Sequence, residues 1–122
     1  MQQILNNKIY KKLVDEKHHG INRYLHCYEV MKTAIKLYGS EDPFLVSGSL
    51  LHDFFFDIEK PTIFNHSNKS LINSSKVFPD LVNSEVNHII LSHMWPISGT
   101  MPRTKRAWCV NIADKITSLR GY

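Results

Sequence analysis

Apolar residues recur along this chain at intervals of three and four, the spacing that lines one face of an α-helix. Ile4, Leu5, Ile9, Tyr10 and Leu13 make the first set and predict a helix from Gln3 to about Lys17. Tyr24, Tyr28, Met31, Ile35 and Tyr38 form the stripe of a second, Asn22 to Tyr38, with Glu29, Lys32 and Lys36 opposite. Gly39 is a natural stop for it. In SEDPF, Asp42 is placed to cap a third helix and Pro43 to occupy its first turn. That helix runs to about Asp53, and Ser47, Gly48 and Ser49 allow a neighbour to approach closely. Phe54 to Asn65, with Pro61, reads as a loop.

His66 to Phe78 gives another helix, and Asn83 or Ser84 caps one that reaches about His93. MWPISGTMP, punctuated by Pro96, Gly99 and Pro102, is a loop. Thr104 caps a last helix from Lys105 to about Leu119. HHG, at residues 18–20, reads as a link between helices. No run alternates with period two for long enough to predict a strand. The expectation is an all-α fold, a bundle of about five to seven helices, in one domain spanning residues 1–122.

Composition adds little until the histidines are counted. The share of apolar residues, 43%, and of charged ones, 21%, is that of an ordinary soluble domain. No apolar run is long enough for a membrane span and the N-terminus lacks a signal-peptide core, so a cytoplasmic protein without a membrane partner is expected. Cys27 and Cys109 lie in amphipathic helical patterns with no CxxC spacing, which predicts buried thiols. The net charge of +4 favours small anionic partners such as nucleotides and phosphate esters. No basic patch interleaved with aromatics stands out, which argues against nucleic acid. A homodimer is compatible with all of this.

Seven histidines are many for this length, and their placement is odder than their number. His26 falls at the edge of an apolar arc, beside Val30 and Leu37. His93 shares a face with Val86, Ile89 and Ile90, whereas His88 points roughly the other way. His52 and Asp53 sit inside LLHDFFF, and Asp114 follows Ala107 and Val110 at helical spacing. A carboxylate in such surroundings requires a cation or several hydrogen bonds. Imidazole and carboxylate together, with no cysteine at ligand spacing, suit iron, manganese or zinc with open coordination positions. A metal would be the cation that Asp53 and Asp114 call for.

Four further residues or groups touch this picture. Arg23, one turn before His26, could reach a substrate phosphate or lie on the surface. Lys115, beside Asp114, could meet a phosphate or support the ligands. Arg103, Lys105 and Arg106 gather at the start of the last helix, as an anion site or a solvated face. Phe54, Phe55, Phe56 and Trp95 could stack a nucleobase or fill the core.

In RYLHCYEV, LLHDFFF and NIADKITSL the chain resembles the HD superfamily of metal-dependent phosphohydrolases. The motif there is a His, an adjacent His-Asp pair and a distant Asp on a late helix. His66 in NHSNKSLINSSKVF and His93 in HIILSHMWPIS match the form that holds two metals, and the likeness extends from about Arg23 to Leu119. The resemblance implies that His26, His52 and Asp114 hold one metal, that His66 and His93 hold a second, and that Asp53 bridges them as the central catalytic ligand. It implies one or two divalent ions, iron or manganese first and zinc, cobalt or nickel next. A hydroxide held by the metals would be the nucleophile. Nucleotide polyphosphates would be the first substrate class and nucleoside monophosphates the next.

Two features depart from the family pattern. Phe56, followed by Asp57, stands where a Lys or Glu often follows the pair, and the chain ends at Tyr122, soon after the Asp114 helix. Two other functions share the same residues: a di-iron oxygenase of the same fold, and a metal-dependent nucleotide-binding module without turnover.

Overall fold

Asparagine breaks the first expected helix. In the structure, a computed structural model that describes residues 1–18 and 20–119, the Asn7 side chain accepts hydrogen bonds from the backbone N–H of Ile9 and Tyr10, at 2.9 and 3.1 Å. Helix α1 (Gln2–Leu5) therefore ends, and α2 (Lys8–Lys11) starts afresh behind a new cap. Asparagine competes with the helix in this way because its short side chain mimics a backbone acceptor. A 3₁₀ turn, Lys12–Asp15, completes the segment. Of the five apolar positions in the pattern, Ile4, Leu5, Tyr10 and Leu13 are buried and Ile9 is exposed, and the periodicity misses the break. The HHG link also differs from expectation: strands β1 (Lys17–His18) and β2 (Ile21–Asn22) pair antiparallel across it. His19 itself and the His18 side chain lie outside the described residues, as do residues 120–122.

The remaining helices start and stop where their caps dictate. Helix α3 (Arg23–Tyr38) begins at Asn22, whose side chain accepts from Leu25 N–H at 2.7 Å. It ends at Gly39, whose φ of 97° suits a residue without Cβ. Helix α4 (Pro43–Leu51) starts at Asp42, which accepts from the N–H groups of Phe44 and Leu45. Helix α5 (His66–Val77) follows a loop containing a short 3₁₀ turn, Asp57–Glu59. Asn83 caps α6 (Ser84–Ser92), accepting from Val86 N–H at 2.9 Å. Thr104 caps α7 (Lys105–Leu119), accepting from Ala107 N–H at 3.1 Å. The fold is all-α, with seven helices among the described residues. None of them is long and apolar enough to cross a membrane.

Packing joins these helices around two apolar clusters. Helix α3 lies along α7 and α4, α4 also packs on α6, and α5 packs on α6. The α4–α6 approach depends on Gly48: a Cβ there would fall 2.6 Å from Ile89 Cγ2. One cluster seats Tyr10, Leu50, Phe54, Phe78 and Ile90 beneath the N-terminal segment. The Tyr10 hydroxyl donates to the Leu50 carbonyl, and its ring lies 5.3 Å from that of Phe54. The other cluster holds Val30, Leu45, Ile89, Val110 and Ala113 between α3, α4, α6 and α7. Cys27 and Cys109 are both buried free thiols. Arg106, one of the basic residues at the start of α7, grips both oxygens of Asp42 at 2.8 Å and so ties α7 to the start of α4.

Candidate metal centre

Five elements converge where the two clusters meet. Helix α3 brings His26 from its first turns, and α4 ends by presenting His52 and then Asp53. Helix α5 opens with His66, α6 ends with His93, and α7 carries Asp114. His26, His52 and His93 have no exposed surface, Asp53 is 1% exposed, and the His66 and Asp114 side chains keep 14% and 13%. The six residues singled out in the sequence as possible ligands thus come together at one place.

Asp53 divides them into two groups. Its Oδ2 lies 3.1 Å from His52 Nε2 and 3.3 Å from His26 Nε2. Asp114 Oδ1 closes that side, 3.0 Å from His26 Nε2 and 3.4 Å from His52 Nε2. The other oxygen, Oδ1, lies 2.6 Å from His66 Nε2 and 3.4 Å from His93 Nε2. The Nε2 atoms of His66 and His93 are 3.2 Å apart. Each group could hold a metal ion, with His26, His52, Asp53 and Asp114 in one and Asp53, His66 and His93 in the other.

Local structure orients two of the rings in the same way. His52 and His93 each occupy the C-cap of a helix, where backbone carbonyls lack helical N–H partners. His52 Nδ1–H donates to Ser49 O at 2.5 Å, and His93 Nδ1–H donates to Ile90 O at 2.6 Å. With Nδ1 so engaged, a neutral ring turns a lone pair on Nε2 into the cluster, the tautomer a metal ligand requires. Those lone pairs face carboxylate oxygens and one another. A buried arrangement of acceptors without donors is unfavourable unless protons or a cation lie among them.

The titration behaviour reports the same demand. Burial would lower the imidazolium pKa of His26, but hydrogen bonds to Asp114 and Asp53 outweigh it and raise it to about 9. His52 is also raised, against its burial, by the charge of Asp53. Asp114 is lowered despite burial, because His26 and His52 donate to it. His93 is lowered by burial, which favours the neutral ring. The upward shifts at His26 and His52 mark the positive charge that the two carboxylates call for, which a bound cation would also supply. The donor set therefore fits a transition-metal ion, through imidazole and carboxylate atoms alone.

A cavity of about 580 Å³ opens against the cluster. Asp53, His66, His93 and Asp114 line its floor, and Ile63, Met94, Ile97 and Leu119 are among its walls. His26 and His52 are not among the lining residues, so an incoming molecule meets both imidazoles of the His66–His93 group but only the carboxylates of the other. Lys115 also lines the cavity. Its ammonium donates to Trp95 O at 2.9 Å and to Asn111 Oδ1 at 2.8 Å, and burial lowers its pKa, against the pull of Asp114.

Arg23 is placed elsewhere. Its guanidinium donates to Phe55 O at 2.8 Å and to Asp57 at 3.0 Å, lies 4.1 Å from the Phe55 ring centre, and is 3% exposed. It anchors the backbone just after the His-Asp pair and is not among the cavity-lining residues. Phe54 and Phe55 are buried, and Trp95 packs edge-on against Trp108 at 5.7 Å. His88 accepts from Arg103 N–H at 3.0 Å, a structural contact outside the cluster.

Asn111 is the supporting residue that the sequence reading did not single out. Its Nδ2 lies 3.0, 3.2 and 2.8 Å from the carbonyl oxygens of Ser92, His93 and Trp95, clasping the end of α6 to α7. The available signal was its spacing: Asn111 is one helical turn before Asp114 and four residues before Lys115. Comparison with protein-family models, with curated proteins and with solved structures finds no match to this chain.

Proposed function

We propose that this protein is a metal-dependent phosphohydrolase of the HD type, cleaving a small phosphate ester or anhydride. The observation that carries the reading is the division of Asp53 between two ligand groups, with a histidine and its neighbouring aspartate delivered together at the end of α4. His26, His52, Asp53 and Asp114 would hold one ion, and Asp53, His66 and His93 a second, with iron or manganese best suited to the donors. Bound there, divalent ions supply an activated water and neutralise phosphoryl oxygens.

The chain's own residues do the rest. The carbonyls of Ser49 and Ile90 hold two imidazoles in the ligating tautomer. Asn111 fixes the end of α6 from which His93 projects. Lys115 sets an ammonium beside the cavity, where it would favour an anionic substrate. Asp53 and Asp114 supply two negative charges, enough to hold divalent ions without cancelling their attraction for a phosphate.

The test is to load the purified chain with iron, manganese, cobalt, nickel or zinc in turn and measure phosphate release from a panel of phosphate esters and anhydrides. Release that depends on metal and disappears in Asp53→Ala is the expected result. Absence of turnover with every metal would overturn the hydrolase reading. The apolar cavity walls favour one second reading, oxygenation of a C–H bond by a di-iron pair. Iron in the purified protein with an oxygen-dependent spectrum would select it.

A further inference from the structure

Everything that lines the cavity beyond the ligand cluster is informative about what enters it. Among the described lining residues Lys115 is the one cation, and two of its three N–H groups are already given to Trp95 O and Asn111 Oδ1. Several other cations among the described residues are engaged elsewhere. Arg23 is held by Phe55 O and Asp57, Arg106 by Asp42, and Lys105 lies over the Tyr38 ring. Among the described lining residues a polyphosphate tail would find one ammonium for several negative charges.

The walls are as poor in base-reading groups as in cations. Apart from the ligands and Lys115, Ser118 is the one polar side chain among the described lining residues. A nucleobase presents several donors and acceptors, and burying them without partners is costly. What the walls offer instead is apolar. Met94 lies beside the cluster, and Ile63, Ile97 and Leu119 stand at 54%, 62% and 87% exposure around the opening. Phe64, next to Ile63, is 82% exposed. Exposed apolar residues are ordinary when scattered, but Ile63, Ile97 and Leu119 gather at one opening. The rim is held in shape, since Ser98 Oγ donates to Ile63 O at 2.8 Å and joins its two sides.

We infer that the substrate is a phosphate monoester of an apolar alcohol, with its single phosphoryl group at the cluster and its hydrocarbon body against Ile63, Met94, Ile97 and Leu119. The inference rests on the phosphohydrolase reading and narrows it, away from nucleoside polyphosphates. Lys115 supplies the one charge-assisted contact a single phosphoryl group requires beyond the metals. The apolar rim distinguishes a hydrocarbon body from a nucleoside by area buried rather than by hydrogen bonds.

Non-hydrolysable phosphonates separate the two claims, because their binding does not depend on turnover. The metal-loaded full chain is titrated with hexylphosphonate, phenylphosphonate, adenosine 5′-methylenephosphonate and a non-hydrolysable ATP analogue. The expected result is that the alkyl and aryl phosphonates bind at least about tenfold more tightly than either nucleotide analogue. Ile97→Asp, a change at an exposed position that should leave the fold intact, is expected to erase that preference. Nucleotide analogues binding as tightly as hexylphosphonate, or no phosphonate binding at all, would overturn the inference. Hydrolysis of the corresponding esters is scored separately: tight hexylphosphonate binding without turnover would sink the hydrolase and leave the apolar anion site standing.

Discussion

The two halves of the ligand cluster are built differently. On one side His26, His52 and Asp114 come from α3, α4 and α7, three helices packed directly on one another, and both imidazoles are fully buried. On the other side His93 is held as firmly as His52, but its partner His66 begins α5 immediately after the long 54–65 loop and is partly exposed to the cavity. Asp53 serves both. The first half is anchored by the core, while half of the second depends on a helix start behind a loop. The first should therefore bind a metal more tightly, and the second should exchange its metal and meet substrate.

Removing what the halves share has the largest effect. Asp53→Ala deletes the bridging carboxylate and is expected to take the metal content from about two per chain to near zero, read by elemental analysis. Retention of full occupancy would break the assignment of the cluster as a whole. Next come the two single-sided changes. His52→Ala should empty the first half and also lower the unfolding midpoint, since it leaves a cavity in the core and a lone Ser49 carbonyl. His66→Ala should cost about one metal per chain, with little change in folding, because its ring is partly exposed. If His66→Ala empties both sites, the halves are not separable and the contrast fails.

Asn111→Leu is a finer probe. It removes the donor that joins the Ser92, His93 and Trp95 carbonyls to α7, at an expected cost of about 1–3 kcal/mol in chemical denaturation. It should weaken the second-half metal more than the first, since His93 projects from the end of α6 that Asn111 holds. Equal loss from both halves would mean that the clasp supports the bundle and has no particular tie to His93.

The smallest effect is that of pH on the metal-free protein. His26 is raised in the folded state to about 9. Its contribution is therefore fully present below the ordinary histidine range and is lost as pH rises through about 9. Without metal, the unfolding midpoint should fall across that interval. Metal affinity should rise over the same interval, because the proton that competes for His26 is leaving. A metal-free midpoint that climbs from pH 6.5 to 9 would contradict the proton's role in holding the first half together.

Much of this centre was legible in the chain before any coordinates. The caps at Asp42, Asn83 and Thr104 and the stop at Gly39 are local chemistry, decided by the residues within one turn, and each stands where the sequence predicts it. Five of the six candidate ligands, His26, His52, Asp53, His93 and Asp114, were legible for a related reason: an imidazole or carboxylate among apolar neighbours conflicts with its surroundings, and the conflict is visible in one dimension, whereas His66 entered only through the family resemblance. Where local chemistry competes with itself, the reading fails. Asn7 preferred its own cap to a continuous helix, and Lys17–His18 paired with Ile21–Asn22.

Tertiary structure alone decided which conflicts resolve one another. The apolar run LLHDFFF marked Asp53 as a carboxylate in need of a cation, but the assignment of one oxygen to His26 and His52 and the other to His66 and His93 comes from where four helices meet. It also sent Arg23 to Phe55 and Asp57 and made Asn111 a clasp, because such partners lie 16 to 34 residues away in sequence and are joined only by packing. Sequence determined the inventory of charges that had to be neutralised. The fold determined their neighbours, since burial sets the cost of an unpaired charge while distance and orientation decide what can pair with it.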